Sequence, residues 1–304
     1  MITRREILQS SAVASSIGIG ALSNSTTVTA TGASFGDGVN LQPAYFCNGD
    51  QNLGWDLMDD YSDIQSVRIE IEPDAQATVS DAKRWIREAN DHGYHVVASY
   101  HQASQNGSAN GSALSDAADW WVDNYDTLAR GGSFTVNLMN EWGDHSVTAS
   151  EYASAYNDAI SAVRTVYSDT IVCDIPGWGQ ETHVAADASS DIVDDDIIFS
   201  AHVYPGAWNS VSGDWLSTLD LDYLNDAGRP CMLGEFGSGG SGSANWSGLV
   251  NHAKSLGWPV LGWAWNGDGS SDPMNMSSPY WGDSCSASSY SRTSYFDTVY
   301  DKLG

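Results

Sequence analysis

The chain has 304 residues, 41% of them apolar, and 12 Lys+Arg against 39 Asp+Glu give a formal net charge of −27. One core fits that length, and so acidic a surface excludes nucleic acid and anionic membranes as partners while leaving a neutral polymer acceptable. The acids are scattered through a chain carrying 13 Trp and 14 Tyr, so the composition reads as a folded protein adapted to high salt, not as a disordered acidic tail.

Residues 1–30 read as a twin-arginine export signal. Thr3-Arg4-Arg5-Glu6-Ile7-Leu8 precedes a weakly apolar, Ser/Ala/Gly-rich run from Ser10 to Leu22, and Val28-Thr29-Ala30 offers a small-residue cleavage site. The run is too short and polar to span about 30 Å of hydrocarbon. Secretion to the extracellular space is therefore expected, with residues 31–304 as one catalytic-sized domain, monomeric and free of the membrane.

From Gly38 onward, short apolar runs alternate eight times with amphipathic stretches. The predicted strands are Val39 to Phe46, Ser66 to Glu72, His95 to His101, Phe134 to Trp142, Thr170 to Ile175, Ile197 to Tyr204, Cys231 to Phe236 and Val260 to Trp265. Predicted helices include Val79 to His92 with Ser80 as its cap, Ser115 to Ala129, Ala149 to Tyr167, Gln180 to Ile192 and Tyr290 to Leu303. Continuous apolar strands with helical crossovers are what a (β/α)8 TIM barrel of the α/β class requires. A doubly wound sheet would mark its first turn with a glycine fingerprint, and none follows the first strand.

In such barrels the active site lies at the C-terminal strand ends. Those ends carry Arg68, His101, Asn140-Glu141-Trp142, His202-Val203-Tyr204, Gly234-Glu235-Phe236 and Trp263-Ala264-Trp265-Asn266. Glu141 and Glu235 each close an apolar run, which aims two carboxylates at one pocket, the minimum apparatus for glycoside cleavage. Tryptophans at strand ends suit the apolar C–H face of a pyranose. Trp178, Trp208, Trp265 and Trp281 are further platform candidates, whereas Trp85, Trp120 and Trp121 fall in helices and are expected to pack. A metal site of His101, Glu141 and His202 is rejected because the first strand lacks His-x-His, and no cofactor is expected. Spacing alone does not give the pairing of four cysteines, but the barrel reading puts Cys47 and Cys285 on neighbouring strand-end loops, and these two are expected to bond. Cys173 and Cys231 lie in apolar strand-like runs and are expected to be buried thiols.

The runs Val136-Asn137-Leu138-Met139-Asn140-Glu141-Trp142, Gly177-Trp178-Gly179-Gln180, Phe199-Ser200-Ala201-His202-Val203-Tyr204, Leu233-Gly234-Glu235-Phe236-Gly237 and Gly262-Trp263-Ala264-Trp265 resemble glycoside hydrolase family 5. The likeness is strongest to its bacterial β-1,4-mannanases, subfamily 8, in an acidic haloarchaeal form. It implies a retaining mechanism with Glu141 as acid/base and Glu235 as nucleophile. It also implies Arg68 and Tyr204 beside Glu235, Asn140 on the sugar 2-hydroxyl, His101 and His202 on sugar hydroxyls and carboxylates, and Trp263 beneath the cleaved residue. Trp142 and Trp178 would line neighbouring positions. The implied activity is endo-β-1,4-mannanase acting on a β-linked polysaccharide, with an endo-β-1,4-glucanase as the near alternative and a non-catalytic carbohydrate-binding barrel as the remote one.

Overall fold

The computed structural model describes residues 35–270 and 273–304; the export-signal reading of residues 1–30 lies outside the described residues. Eight parallel strands close into a barrel: β1 (Gly38–Leu41), β2 (Ser66–Ile71), β3 (His95–Tyr100), β4 (Thr135–Asn137), β5 (Ile171–Asp174), β6 (Ile197–Val203), β7 (Cys231–Phe236) and β8 (Val260–Asn266), with β8 pairing back to β1. Each is followed by a helix: α1 (Trp55–Met58), α2 (Val79–Asp91), α3 (Gly111–Ala129), α4 (Ala149–Val163), α5 (Thr182–Ala188), α6 (Thr218–Asp226), α7 (Trp246–Ser255) and α8 (Phe296–Tyr300). This is the (β/α)8 TIM barrel that the alternation predicts. Among the described residues no helix is long and apolar enough to cross a membrane.

Side-chain alternation along the strands explains both the core and the site. Val97, Val172, Ile198, Met232 and Leu261 form an apolar layer inside the barrel, with Phe35 packed against it. Two residues further along three of those strands, the same inward face carries Ser99, Asp174 and Ser200, all buried. The lumen thus turns from apolar to polar toward the C-terminal strand ends. The outward faces pack against the helices, where Trp85 and Trp121 are buried and Trp120 partly so.

Several boundaries differ from the sequence expectation, four of them for visible reasons. β1 stops at Leu41 and the chain turns through Pro43–Tyr45, because Pro43 has no N–H to extend a ladder. β4 pairs only over Thr135–Asn137, and Glu141 at the end of its run takes a left-handed backbone, φ 48°. The cap of α2 is Thr78, not Ser80: Asp81, three residues after Thr78, closes a reciprocal capping box. The last helix begins only at Phe296; before it Ser291–Arg292 pairs with Ser277–Ser278 and Tyr290 Oη donates to the Asn52 carbonyl.

Candidate active site

Arg68 stands on the inward face of β2 with no exposed surface, and its guanidinium is the hub of the lumen. It donates to Asn137 Oδ1 (2.9 Å), Asn40 Oδ1 (3.0 Å), Ser99 Oγ (3.1 Å) and Asn140 Oδ1 (2.5 Å). It also pairs with Glu70 (3.0 Å), Glu235 (2.9 Å) and Asp174 (3.4 Å). Burial alone would lower its pKa, but the fields of Asp174, Glu235 and Glu70 outweigh that and hold the charge more firmly than in water. Every donor is used, as a buried guanidinium requires.

Glu235 closes β7 with one oxygen on Arg68 and the other accepting from Tyr204 Oη at 2.8 Å. Burial and the field of Glu235 keep the Tyr204 phenol well above its ordinary pKa, so it stays a donor. Glu141 Oε1 meets His202 Nδ1 at 2.9 Å, and the same nitrogen lies 3.6 Å from Glu235. Carboxylate oxygens of Glu141 and Glu235 fall within 4.8 Å of one another. His202 has no exposed side chain. Burial pulls its pKa down, yet Glu235, Asp174 and Glu141 together push it up to about 9. An imidazole favoured as its cation thus lies against both glutamates and offsets like-charge repulsion between them. Two glycines make room for that ring: a Cβ at Gly179 would stand 2.6 Å from its Cγ, and one at Gly234 would stand 3.0 Å from its Nε2.

Glu141, His202 and Glu235 could by distance hold a metal ion, but Glu141 Oε1 and His202 Nδ1 are engaged with each other, and the Glu235 oxygens with the fixed cation Arg68 and with Tyr204. The set reads as proton-transfer and nucleophile groups. His101 closes β3, but its carboxylates are Glu72 (2.9 Å) and Glu70 (3.4 Å), not the glutamate pair. Burial lowers its pKa and Glu70 and Glu72 raise it, with a net rise. Tyr45 Oη lies 2.7 Å from both His101 Nδ1 and Glu72. Asn140 has its second amide atom on Asn106 Oδ1 at 3.3 Å.

The aromatic candidates divide. Trp178 is 38% exposed, Trp263 and Trp208 are half-buried, and Trp208 packs edge-on at 5.4 Å against Trp215 across a short hairpin. Trp142 is corrected: it is 2% exposed, its Nε1 donates to the Asn110 carbonyl and its ring packs on Tyr156, so it has no face to offer a sugar. Trp265 and Trp281 are likewise fully buried. Cys47 and Cys285 form a disulfide joining the loops after β1 and β8, with Cα atoms 5.3 Å apart, while Cys173 and Cys231 are buried and free.

Sequence reasoning missed Glu70, Glu72, Asp174, Asn40 and Asn137. A signal existed for two of them: Arg68, Glu70 and, one residue past the end of β2, Glu72 are spaced by two and so continue one inward face. Asp174 closes β5 and accepts from the Glu141 backbone N–H at 3.0 Å, a tie that no local pattern announces.

The family model for cellulase (glycosyl hydrolase family 5) matches residues 50–269. A mannan endo-1,4-β-mannosidase of Salipaludibacillus agaradhaerens is 27% identical over 164 residues, 52% of each chain. One from Streptomyces lividans is 29% identical over 187 residues, 57% of this chain and 46% of that protein. The chain thus aligns with about half the length of these relatives. Among solved structures, β-mannanase from Streptomyces thermolilacinus superposes with TM-score 0.69 at 21% identity, covering 89% of this chain and 90% of that one, and is also known with mannohexaose. The endoglucanase catalytic domain of Thermobifida fusca superposes with TM-score 0.67 at 15% identity, covering 88% and 91%.

Proposed function

The chain belongs to glycosyl hydrolase family 5, and from that premise we propose that it is a secreted, retaining endo-β-1,4-mannanase of the subfamily 8 kind, working at high salt. The observation that carries the chemistry is the pair of carboxylates within 4.8 Å, one on Arg68 and Tyr204, the other on an imidazole. Oxygens that close agree with the separation of roughly 5–5.5 Å between carboxyl groups used in double displacement and favour it over the roughly 6.5–9.5 Å of an inverting pair.

Glu235, paired with Arg68, attacks the anomeric carbon while Glu141, hydrogen-bonded to His202, protonates the leaving oxygen. The glycosidic C–O bond breaks and a glycosyl ester forms on Glu235. Water then enters, gives a proton to Glu141 and attacks the same carbon, releasing Glu235 and restoring the starting anomeric configuration. Tyr204 steadies the carboxylate as its charge is spent and regained. Arg68 holds Asn140 at the rim of that site, where its amide can meet the 2-hydroxyl.

The choice of mannan is supported by the two sequence relatives, both mannan endo-1,4-β-mannosidases. A glucan substrate is the second reading, favoured by the family's cellulase description. Export through the twin-arginine route is supported by the Arg4-Arg5 motif, and a monomeric state is part of the same proposal. The test is reducing-end release by the mature protein in multimolar KCl on mannan, glucomannan, carboxymethyl cellulose and xylan. Release from mannan and glucomannan is expected; release from cellulose without mannan would overturn the substrate.

A further inference from the structure

Asp174 has no part in the bond-breaking steps above, yet one oxygen of its carboxylate faces both members of the Glu141–His202 pair. Oδ2 accepts from the Glu141 backbone N–H at 3.0 Å and lies 3.4 Å from His202 Nε2 and 3.4 Å from the Arg68 guanidinium. Oδ1 accepts from Asn137 Nδ2 at 3.1 Å. The residue has no exposed surface and is pinned from behind, where its carbonyl accepts from Tyr152 Oη (3.1 Å) and Tyr156 Oη (2.8 Å), two buried phenols of α4. The end of β5 cannot shift without breaking both bonds.

The two contacts do different things. The N–H bond helps hold Glu141 in its left-handed backbone, φ 48°, a conformation that a residue other than glycine keeps only where its surroundings enforce it. The contact with His202 is one of charge, because Nε2 is buried and makes no hydrogen bond. A neutral ring left in that way bears the cost of an unsatisfied polar group. A charged ring is drawn to the carboxylate through distance, with no aligned bond required. At the other nitrogen Glu141 stands at 2.9 Å and Glu235 at 3.6 Å, and the opposing cation is Arg68, paired with Glu235 and Asp174 alike. Three acids against one fixed cation favour the charged ring, whose pKa is pushed up to about 9.

We propose that Asp174 is a positioning residue for proton transfer: it keeps His202 in its charged form, so that Nδ1 donates to Glu141 Oε1 and the proton bound for the leaving oxygen rides on Glu141 Oε2. Cleavage moves that proton from Oε2 to the leaving oxygen, and the water of the second step returns one to the same atom. Asp174 itself exchanges no proton. Its role rests on the retaining-mannanase reading and adds to it a determinant of the alkaline limit of the reaction.

Asp174→Asn keeps the shape and an acceptor for the Glu141 N–H but removes the charge. Loss of a negative charge makes neighbouring groups release their protons more readily, so the alkaline limb of kcat/KM on mannan should move down by about one pH unit. With 2,4-dinitrophenyl β-mannobioside, whose leaving group needs no proton, kcat/KM at the wild-type optimum should fall no more than about threefold. Nuclear magnetic resonance of wild-type protein carrying isotope-labelled histidine gives a reading that needs no Asp174 variant to fold: both ring nitrogens of His202, identified by their loss in His202→Gln, should stay protonated up to about pH 8. A mannan rate lowered at every pH with its alkaline limb unmoved would mark Asp174 as purely structural and overturn the inference, and so would a His202 ring that is neutral at about pH 7. A wild type that cleaves neither substrate would refute the mannanase reading itself, whereas a wild type that cleaves both, with the limb unmoved in Asp174→Asn, would sink this inference alone.

Discussion

At Arg68 one guanidinium serves carboxylates from three strands: Glu70 on its own β2, Asp174 on β5 and Glu235 on β7. Arg68→Met leaves those carboxylates buried without their cation, and denaturant unfolding should show a loss of about 3–5 kcal/mol. A loss below about 1 kcal/mol, within the range of an exposed ion pair, would mean that the three do not depend on it. The two glutamates should separate by leaving group. Glu235→Ala is expected to lose several orders of magnitude on mannan and aryl glycosides alike, whereas Glu141→Ala should form the glycosyl-enzyme readily from a dinitrophenyl substrate, whose departure needs no proton. Comparable first-turnover losses from both variants on the aryl substrate would contradict those roles. His202 sets a pH limit. Its folded-state pKa, about 9, stands above the ordinary 6.5, so its stabilisation is complete below the lower value and drains as pH rises through the upper one. Thermal melts of the wild type should therefore fall across that window more steeply than those of His202→Gln; equal slopes would assign the fall to other groups.

Among elements, β2, β6 and β7 were legible almost to the residue, because each is buried throughout and reads as an unbroken run. β4 was overread: its regular ladder ends at Asn137, although Leu138 N and Asn140 N still donate to the Val172 and Tyr100 carbonyls, and at Glu141 the backbone turns to φ 48°. Residues held in that region mark places where tertiary contacts override local preference, here the Asp174 carboxylate on the Glu141 N–H and the Gly107 N–H on its carbonyl. Trp142 was misread for the same reason, since the turn sends its ring under the loop to the Asn110 carbonyl. The disulfide ties the loops of β1 and β8, strands adjacent in the barrel although the cysteines are 238 residues apart. Replacing both cysteines by serine should lower stability by about 2–5 kcal/mol, read as a shift in the unfolding midpoint under non-reducing conditions. An unchanged midpoint would show that barrel closure already holds those loops together.

For the whole molecule, a net charge of −27 predicts that added salt raises the stability of the fold. Dilution from about 1 M to about 0.1 M salt lengthens electrostatic reach from roughly 3 Å to roughly 10 Å, and the melting temperature should fall steadily over that range as surface carboxylates begin to repel. A melting temperature indifferent to salt would remove high-salt adaptation from the account. The barrel and the two glutamates at its strand ends were determined by the sequence alone, because eight buried strands leave an eightfold apolar signature and strand-end motifs are local. Only the tertiary structure decided how those groups are wired: that Arg68 gathers Glu70, Asp174 and Glu235, and that His202 contacts both glutamates. Each link joins side chains from different strands or their loops, or depends on which face of a strand turns inward. Barrel closure sets such distances, and no stretch of neighbouring residues records them.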